Sequence, residues 1–165
     1  ASETESIPEM DKLIEWLPKN IPDDDETSIV HGDFRLDNMI YKNHEVIGVL
    51  DWELSTLGHP IADFSYHCLT WRTLPAMQDL KLLKELGIPS EVEYRDMYSE
   101  NTGKDLSKNW EFYMVFNIFK VAAICQGILG RVRDGTASNK HAEARGMQVF
   151  PLSAGAWSIV EANFK

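Results

Sequence analysis

The chain has 165 residues, the length of one domain or of a large part of one. Hydrophobic residues make up 44% of it, with 5 Trp, 7 Phe and 5 Tyr, so it can build a packed core and global disorder is excluded. Its 26 acidic against 16 basic residues, a net charge of −10, argue against a general nucleic-acid surface, which needs clustered Lys and Arg.

Residues 1–7 read as a loose leader, and the opening Ala1-Ser2-Glu3, without Met, suggests a cut or processed piece. Over 8–17, Met10, Leu13, Ile14 and Leu17 share one face, which predicts an amphipathic helix stopped at Pro18. Pro22 to Asp25 reads as a solvated acidic turn rather than a metal site. Thr27 to Val30 predicts a short strand. Asn38–Tyr41 and Glu45–Leu50 predict a hairpin joined at Lys42-Asn43-His44. After Pro60 the pattern turns helical, with Ile61, Phe64, Ser65, Cys68, Leu69 and Trp71 suiting a helix of about three turns. Asp79–Leu86 predicts another, ended by Gly87 and Pro89. Ser90 is placed to cap a helix over 91–100, with Glu93 completing a capping box. Leu106–Arg133 is a long helical stretch ended by Asp134-Gly135. A final helix opens at Ser138 or Asn139, and Pro151 predicts a kink or break in it. The fold class is therefore α+β, mostly helical, over a single partial domain spanning 1–165. No apolar run approaches the roughly 18 residues of a membrane span. Cys68 and Cys125 sit in apolar patterns and read as buried, reduced thiols, which fits an intracellular compartment.

The informative segment is His31-Gly32-Asp33-Phe34-Arg35-Leu36-Asp37-Asn38, followed by an apolar run, Val46-Ile47-Gly48-Val49-Leu50, that ends in Asp51. Phosphoryl transfer from a magnesium nucleotide needs a carboxylate beside the acceptor hydroxyl, and an amide and a carboxylate for the metal. Asp33 is the candidate base. Asn38 and Asp51 are hard oxygen ligands suited to Mg2+ and, through it, to ATP. Arg35 offers a forked donor to the transferring group. His31 is expected to brace the loop, and Gly32 to admit a backbone turn that a Cβ would hinder. Asp37 is expected in a turn role and Glu53 in a structural one, while Asp63, near a helix start, is expected to brace the loop around Asp33. His44, His67 and His141 are isolated. Two other readings stay open. His59 with His31, Asp33 and Asp51 suggests a metallohydrolase, which leaves Asn38 unexplained. A non-catalytic module of the same fold, kept for binding or scaffolding, is the other.

The residues His31-Gly32-Asp33, Asn38, Val49-Leu50-Asp51-Trp52-Glu53 and Asp63 resemble the aminoglycoside phosphotransferase family, which has a protein-kinase-like fold and includes choline kinases. The wording of Ile29–Asn38 and of Leu50–Pro60 is similar to the phosphotransferase-like domain at the front of large acyl-CoA dehydrogenase fusion proteins of the family member 10 and 11 type. The resemblance implies the C-terminal lobe of a kinase-like fold, with a small hairpin carrying the catalytic and metal residues. It implies Asp33 as base, Asn38 and Asp51 as magnesium ligands and Asp63 as a loop brace. Nothing upstream of residue 28 resembles the N-terminal nucleotide-binding lobe, with its glycine-rich loop and strand-borne Lys. ATP and Mg2+ are thus expected to bind only with that lobe present, and the fragment alone is expected to be inactive. The implied partners are a small hydroxylated acceptor, such as a hydroxyacyl group or its CoA thioester, and the rest of the same polypeptide, including a dehydrogenase domain. Self-association through the face that lobe would cover is also expected. Mitochondrion or peroxisome is implied by the resemblance only. Trp71, Tyr94, Tyr98, Trp110 and Tyr113 are candidates to line an acceptor pocket, or else core.

Overall fold

The computed structural model describes residues 6–24 and 26–164. The first five positions of the expected leader, Asp25 of the acidic turn and Lys165 lie outside the described residues. In chain order the chain forms α1 (Pro8–Trp16), β1 (Ser28–Val30), β2 (Met39–Lys42), β3 (Glu45–Val49), β4 (Thr56–Gly58), α2 (Pro60–Thr73), α3 (Leu80–Leu86), α4 (Glu91–Thr102), α5 (Trp110–Arg133), α6 (Ala142–Gly146) and α7 (Val149–Asn163). It divides into two compact units, one of residues 24–113 and one of 1–23 with 114–165.

Among the described residues, the 24–113 unit holds all the strands. β2 and β3 form the expected hairpin, with Met39 opposite Val49 and a bulge between Ile40 and Tyr41. Asn43 and His44 turn it with φ of 51° and 67°. Positive φ at both positions is the signature of the type I′ turn, whose twist matches the right-handed twist of the strands. β1 pairs with β4, Ile29 opposite Leu57. The sequence reading did not foresee β4: three residues with no alternation carry no strand signal.

Helix ends in this unit follow capping chemistry. The Asp79 side chain accepts from the N–H groups of Lys81 and Leu82. Ser90 and Glu93 close a reciprocal capping box on α4. Gly87 and Gly103 end α3 and α4 in the left-handed conformation. Arg72 on α2 pairs with Glu91 on α4 and with Glu111 at the start of α5, its Nη2 lying 2.8 Å and 3.0 Å from the two carboxylates. Trp110 Nε1 donates to the same Glu91 at 3.0 Å, and the Arg95 guanidinium lies 4.5 Å over the Trp110 ring. Burial pushes the Glu91 pKa up, but the Arg72 fork, aided by Trp110, outweighs it and leaves the net shift downward.

In the other unit, Ile7, Met10, Ala122, Cys125 and Val149 form a buried cluster, with Phe119, Leu129 and Leu152 packed on it. Ile7 is therefore core rather than loose leader, and the Ser6 hydroxyl donates to Asp11 at 2.6 Å. Gly146 lets α6 press on α5: a Cβ there would meet Leu129 backbone at 2.9 Å. The last helical stretch breaks at Met147-Gln148, not at Pro151. Pro151 lies in the first turn of α7, where its missing N–H costs nothing. The long helix starts at Trp110, four residues later than expected, after Asn109 takes a positive φ of 41°. By length and composition α5 meets the criterion for crossing a membrane, contrary to the sequence expectation. Half of its most apolar window is buried in the fold, and Asn117 and Gln126 lie inside, so α5 is a core helix.

Candidate active site

The loop after β1 is fixed from α2. Asp63, in the first turn of that helix, accepts the His31 N–H at 2.6 Å and the Gly32 N–H at 2.9 Å, one on each carboxylate oxygen. Gly32 has φ +82°, and a Cβ on it would lie 2.5 Å from the Leu54 carbonyl oxygen. The turn thus demands glycine for both conformation and space. His31 is buried. Its Nδ1 accepts the Asp33 N–H at 3.2 Å, so Nε2 carries the proton and donates to the Leu50 carbonyl at 2.7 Å. The Trp52 ring packs 4.8 Å from the imidazole.

These contacts present the Asp33 carboxylate, whose side chain keeps 18% of its surface exposed. Oδ1 accepts the Tyr66 hydroxyl at 2.8 Å. Oδ2 accepts Asn38 Nδ2 at 3.0 Å, and Arg35 Nε lies 3.4 Å from it. Asn38 Nδ2 also donates to the Asp33 carbonyl at 2.9 Å. Arg35 also approaches Asp37 at 3.8 Å and is half exposed. Such a pair adds little stability and leaves the guanidinium free to meet an anion.

Asn38 and Asp51 are brought together by the hairpin. The Leu50 N–H donates to the Asn38 carbonyl at 2.8 Å, so the ladder carries Asp51 to the end of the His31–Asn38 loop. Asp51 adopts φ 66°, ψ 52°, a left-handed conformation that Asp tolerates better than most residues. Among the described residues its carboxylate has no hydrogen bond or ion pair, and neither has the Asn38 side-chain oxygen. Two uncommitted hard oxygens fit magnesium, which keeps several waters and takes its remaining ligands from phosphates. Glu53 is exposed in the following turn. A site of the metallohydrolase type would draw on His31 and His59. Both His31 nitrogens are engaged, while His59 spends Nδ1 on the Ile61 N–H, capping α2, and its buried Nε2 has no hydrogen-bond partner among the described residues and lies 3.3 Å from Asp24. Among the described residues no group of three His, Cys, Asp or Glu gathers to hold a metal.

The aromatic candidates mostly pack on one another. Trp71 stacks on Tyr94 at 5.1 Å, and Tyr98 on Phe64 at 3.8 Å, with Trp110 5.8 Å from Phe64. Tyr113 stacks on His59 at 4.9 Å, and burial pushes its phenol up to about 12. Of the five, only Tyr98 lines the cleft of about 220 Å³ beside the loop, with Phe34, Asp63 and Phe64. His67 packs against Phe34 and Tyr94, and its buried Nδ1 has no partner among the described residues. Burial lowers its pKa, against a hydrogen bond with the Phe34 backbone.

Sequence reasoning missed Tyr66, quoted Trp52 only as part of the Val49–Glu53 wording, and read His67 as isolated. Tyr66 carried a usable signal: it lies one helical turn beyond Asp63, so a loop held by one is within reach of the other. The ring contacts of Trp52 and His67 left no signal, since contacts across a turn have no fixed spacing.

The profile of the phosphotransferase enzyme family (APH) matches residues 1–98. Mouse acyl-CoA dehydrogenase family member 10 is 45% identical over 166 residues, covering 96% of this chain and 16% of the mouse protein. Human acyl-CoA dehydrogenase family member 11 is 39% identical over 160 residues, covering 93% of this chain and 20% of its own. A crystal structure of a Ralstonia eutropha protein assigned as an aminoglycoside phosphotransferase aligns with TM-score 0.89 and 47% identity, over 98% of this chain and 51% of that one. The chain thus spans a fifth or less of these curated relatives and about half of the solved chain.

Proposed function

The chain belongs to the phosphotransferase enzyme family, and on that footing we propose that it forms the catalytic part of a Mg-ATP-dependent small-molecule phosphotransferase. Asp33 holds the acceptor hydroxyl and takes its proton as the new O–P bond forms and the γ-phosphoryl group leaves ADP. Tyr66 and Asn38 keep the carboxylate in one orientation, which shortens the search for an in-line geometry. Arg35 reaches the transferring group with its forked donor. Asn38 and Asp51 hold magnesium, which supplies charge neutralisation at the nucleotide phosphates when bound. The observation that carries this reading is the Asp33 carboxylate, gripped on both oxygens yet open on one side, beside two uncommitted oxygen ligands.

The acceptor is a hydroxyacyl group or its CoA thioester. The curated relatives are named as acyl-CoA dehydrogenases, and phosphorylation turns a hydroxyl into a leaving group, a fitting step before such an enzyme. The test is magnesium-dependent ATP turnover by the protein extended at its N-terminus, with hydroxy acids, hydroxyacyl-CoAs, choline and aminoglycosides as acceptors. Stimulation by hydroxyacyl-CoA that Asp33→Asn abolishes supports the reading. ATP binding without acceptor-stimulated turnover across the panel would make this a binding module instead.

A further inference from the structure

The described residues include six arginines, and four of them have carboxylate partners: Arg35 with Asp33 and Asp37, Arg72 with Glu91 and Glu111, Arg95 with Glu91, and Arg133 with Asp134. Arg131 and Arg145 have none among the described residues, although acids outnumber bases 26 to 16 in the chain. Both line one cavity of about 420 Å³ in the 1–23 and 114–165 unit, with Ser138, Asn139 and His141, and no carboxylate lines it.

The local fold holds this arrangement in place. The Arg131 carbonyl already accepts the N–H groups of Thr136 and Ala137 at 2.9 and 3.1 Å, so the end of α5 has its own backbone partners. The chain then reverses, the Asn139 side chain accepts the His141 N–H at 2.8 Å, and α6 returns against α5 where Gly146 meets Leu129. That return brings Arg145 to the cavity that Arg131 lines. A helix C-terminus attracts cations, which accounts for Arg131 alone, but not for a second unpaired arginine on another helix facing the same space.

We infer that this cavity binds the phosphate group of a small organic phosphomonoester. Two guanidinium forks match the oxygens of a phosphate dianion, and Ser138 and His141 add shorter-range donors. The volume falls within the range of small-molecule sites and leaves room for an organic body on the phosphate. The site is independent of the Asp33 reading, and its failure would leave that reading untouched.

The test is calorimetric titration of the full-length protein with inorganic phosphate and with adenosine 3′,5′-bisphosphate. The comparison is with Arg131→Gln/Arg145→Gln, the milder Arg131→Lys, and Arg133→Gln, which removes a charge outside the cavity. Circular dichroism checks that each variant is folded. The expected result is bisphosphate binding at least tenfold tighter than that of inorganic phosphate. The double variant loses at least tenfold, Arg131→Lys less, and Arg133→Gln leaves binding unchanged. Equal affinity for the two probes would overturn the organic ligand in favour of free phosphate. Absence of binding, persistence in the double variant, or an equal loss in Arg133→Gln would overturn the site.

Discussion

The Tyr66 hydroxyl donates to Asp33 Oδ1 at 2.8 Å, while Asn38 holds Oδ2 at 3.0 Å. The Asp33 carboxylate, the proposed base, is thus oriented by one donor from a helix and one from its own loop. Tyr66→Phe removes one donor to a charged acceptor, an interaction of about 1.5–3 kcal/mol. We expect acceptor-stimulated turnover by the N-terminally extended protein to fall about 10- to 100-fold, with a thermal midpoint within a few degrees of wild type. Unchanged kcat would remove Tyr66 from any positioning role.

Gly32→Ala meets two obstacles, a φ of +82° and a Cβ 2.5 Å from the Leu54 carbonyl oxygen. The left-handed conformation alone costs about 1 kcal/mol or more, and the clash forces the Leu54 turn to move. Urea unfolding should show a loss of at least about 2 kcal/mol. A loss within error would mean that the turn relaxes without cost.

Arg72→Met leaves Glu111 without its ion-pair partner and Glu91 with only Trp110 and Arg95, in a partly buried setting. The expected loss near neutral pH is about 2 kcal/mol, below the full cost of breaking a buried pair because Arg72 is about one-third exposed. Glu91 has its folded pKa depressed by Arg72, so its contribution is present above the ordinary value of 4.5 and is lost as pH falls through the lower folded value. The gap between wild type and Arg72→Met in urea melts should therefore shrink between neutral pH and the acid range. A constant gap would mean that Glu91 titrates alike in both states.

His67 is held neutral by burial, with its folded pKa below the ordinary 6.5. The unfolded chain protonates first, so this site stabilises the fold above that pH and loses its contribution as pH falls. Between pH 7.5 and 5.5 the thermal midpoint of wild type should drop further than that of His67→Phe, whose ring cannot titrate. Parallel decreases would assign the acid sensitivity to other groups.

The legible parts of the chain were those where one residue type answers one backbone demand. Ser90 and Glu93 announced a capping box, which stands where it was read, and the hairpin joint read at Lys42-Asn43-His44 falls on Asn43-His44, with Lys42 still in the strand. The family and the mostly helical kinase-like fold followed from His31–Asn38 and the strand ending in Asp51. What stayed hidden was nonlocal or context-bound. β4 is a strand only because β1 lies beside it. Ile7 is core only because α5 and α7 supply its neighbours. Pro151 was read as a breaker because sequence does not show how close a helix start lies, and that distance decides its effect.

Asp63 and Tyr66 are one turn apart on α2, and together they hold the His31 and Gly32 amides and the Asp33 carboxylate that follows. A loop fastened at two points to a helix has little conformational entropy of its own left to lose when an acceptor arrives. The His31 ring is hydrogen-bonded on the other side to the Leu50 carbonyl, so the Asp33 carboxylate sits between α2 and the hairpin rather than on a flexible finger. A contact that tilts α2 against that hairpin, even one made far from Asp33, would shift this carboxylate and its loop together.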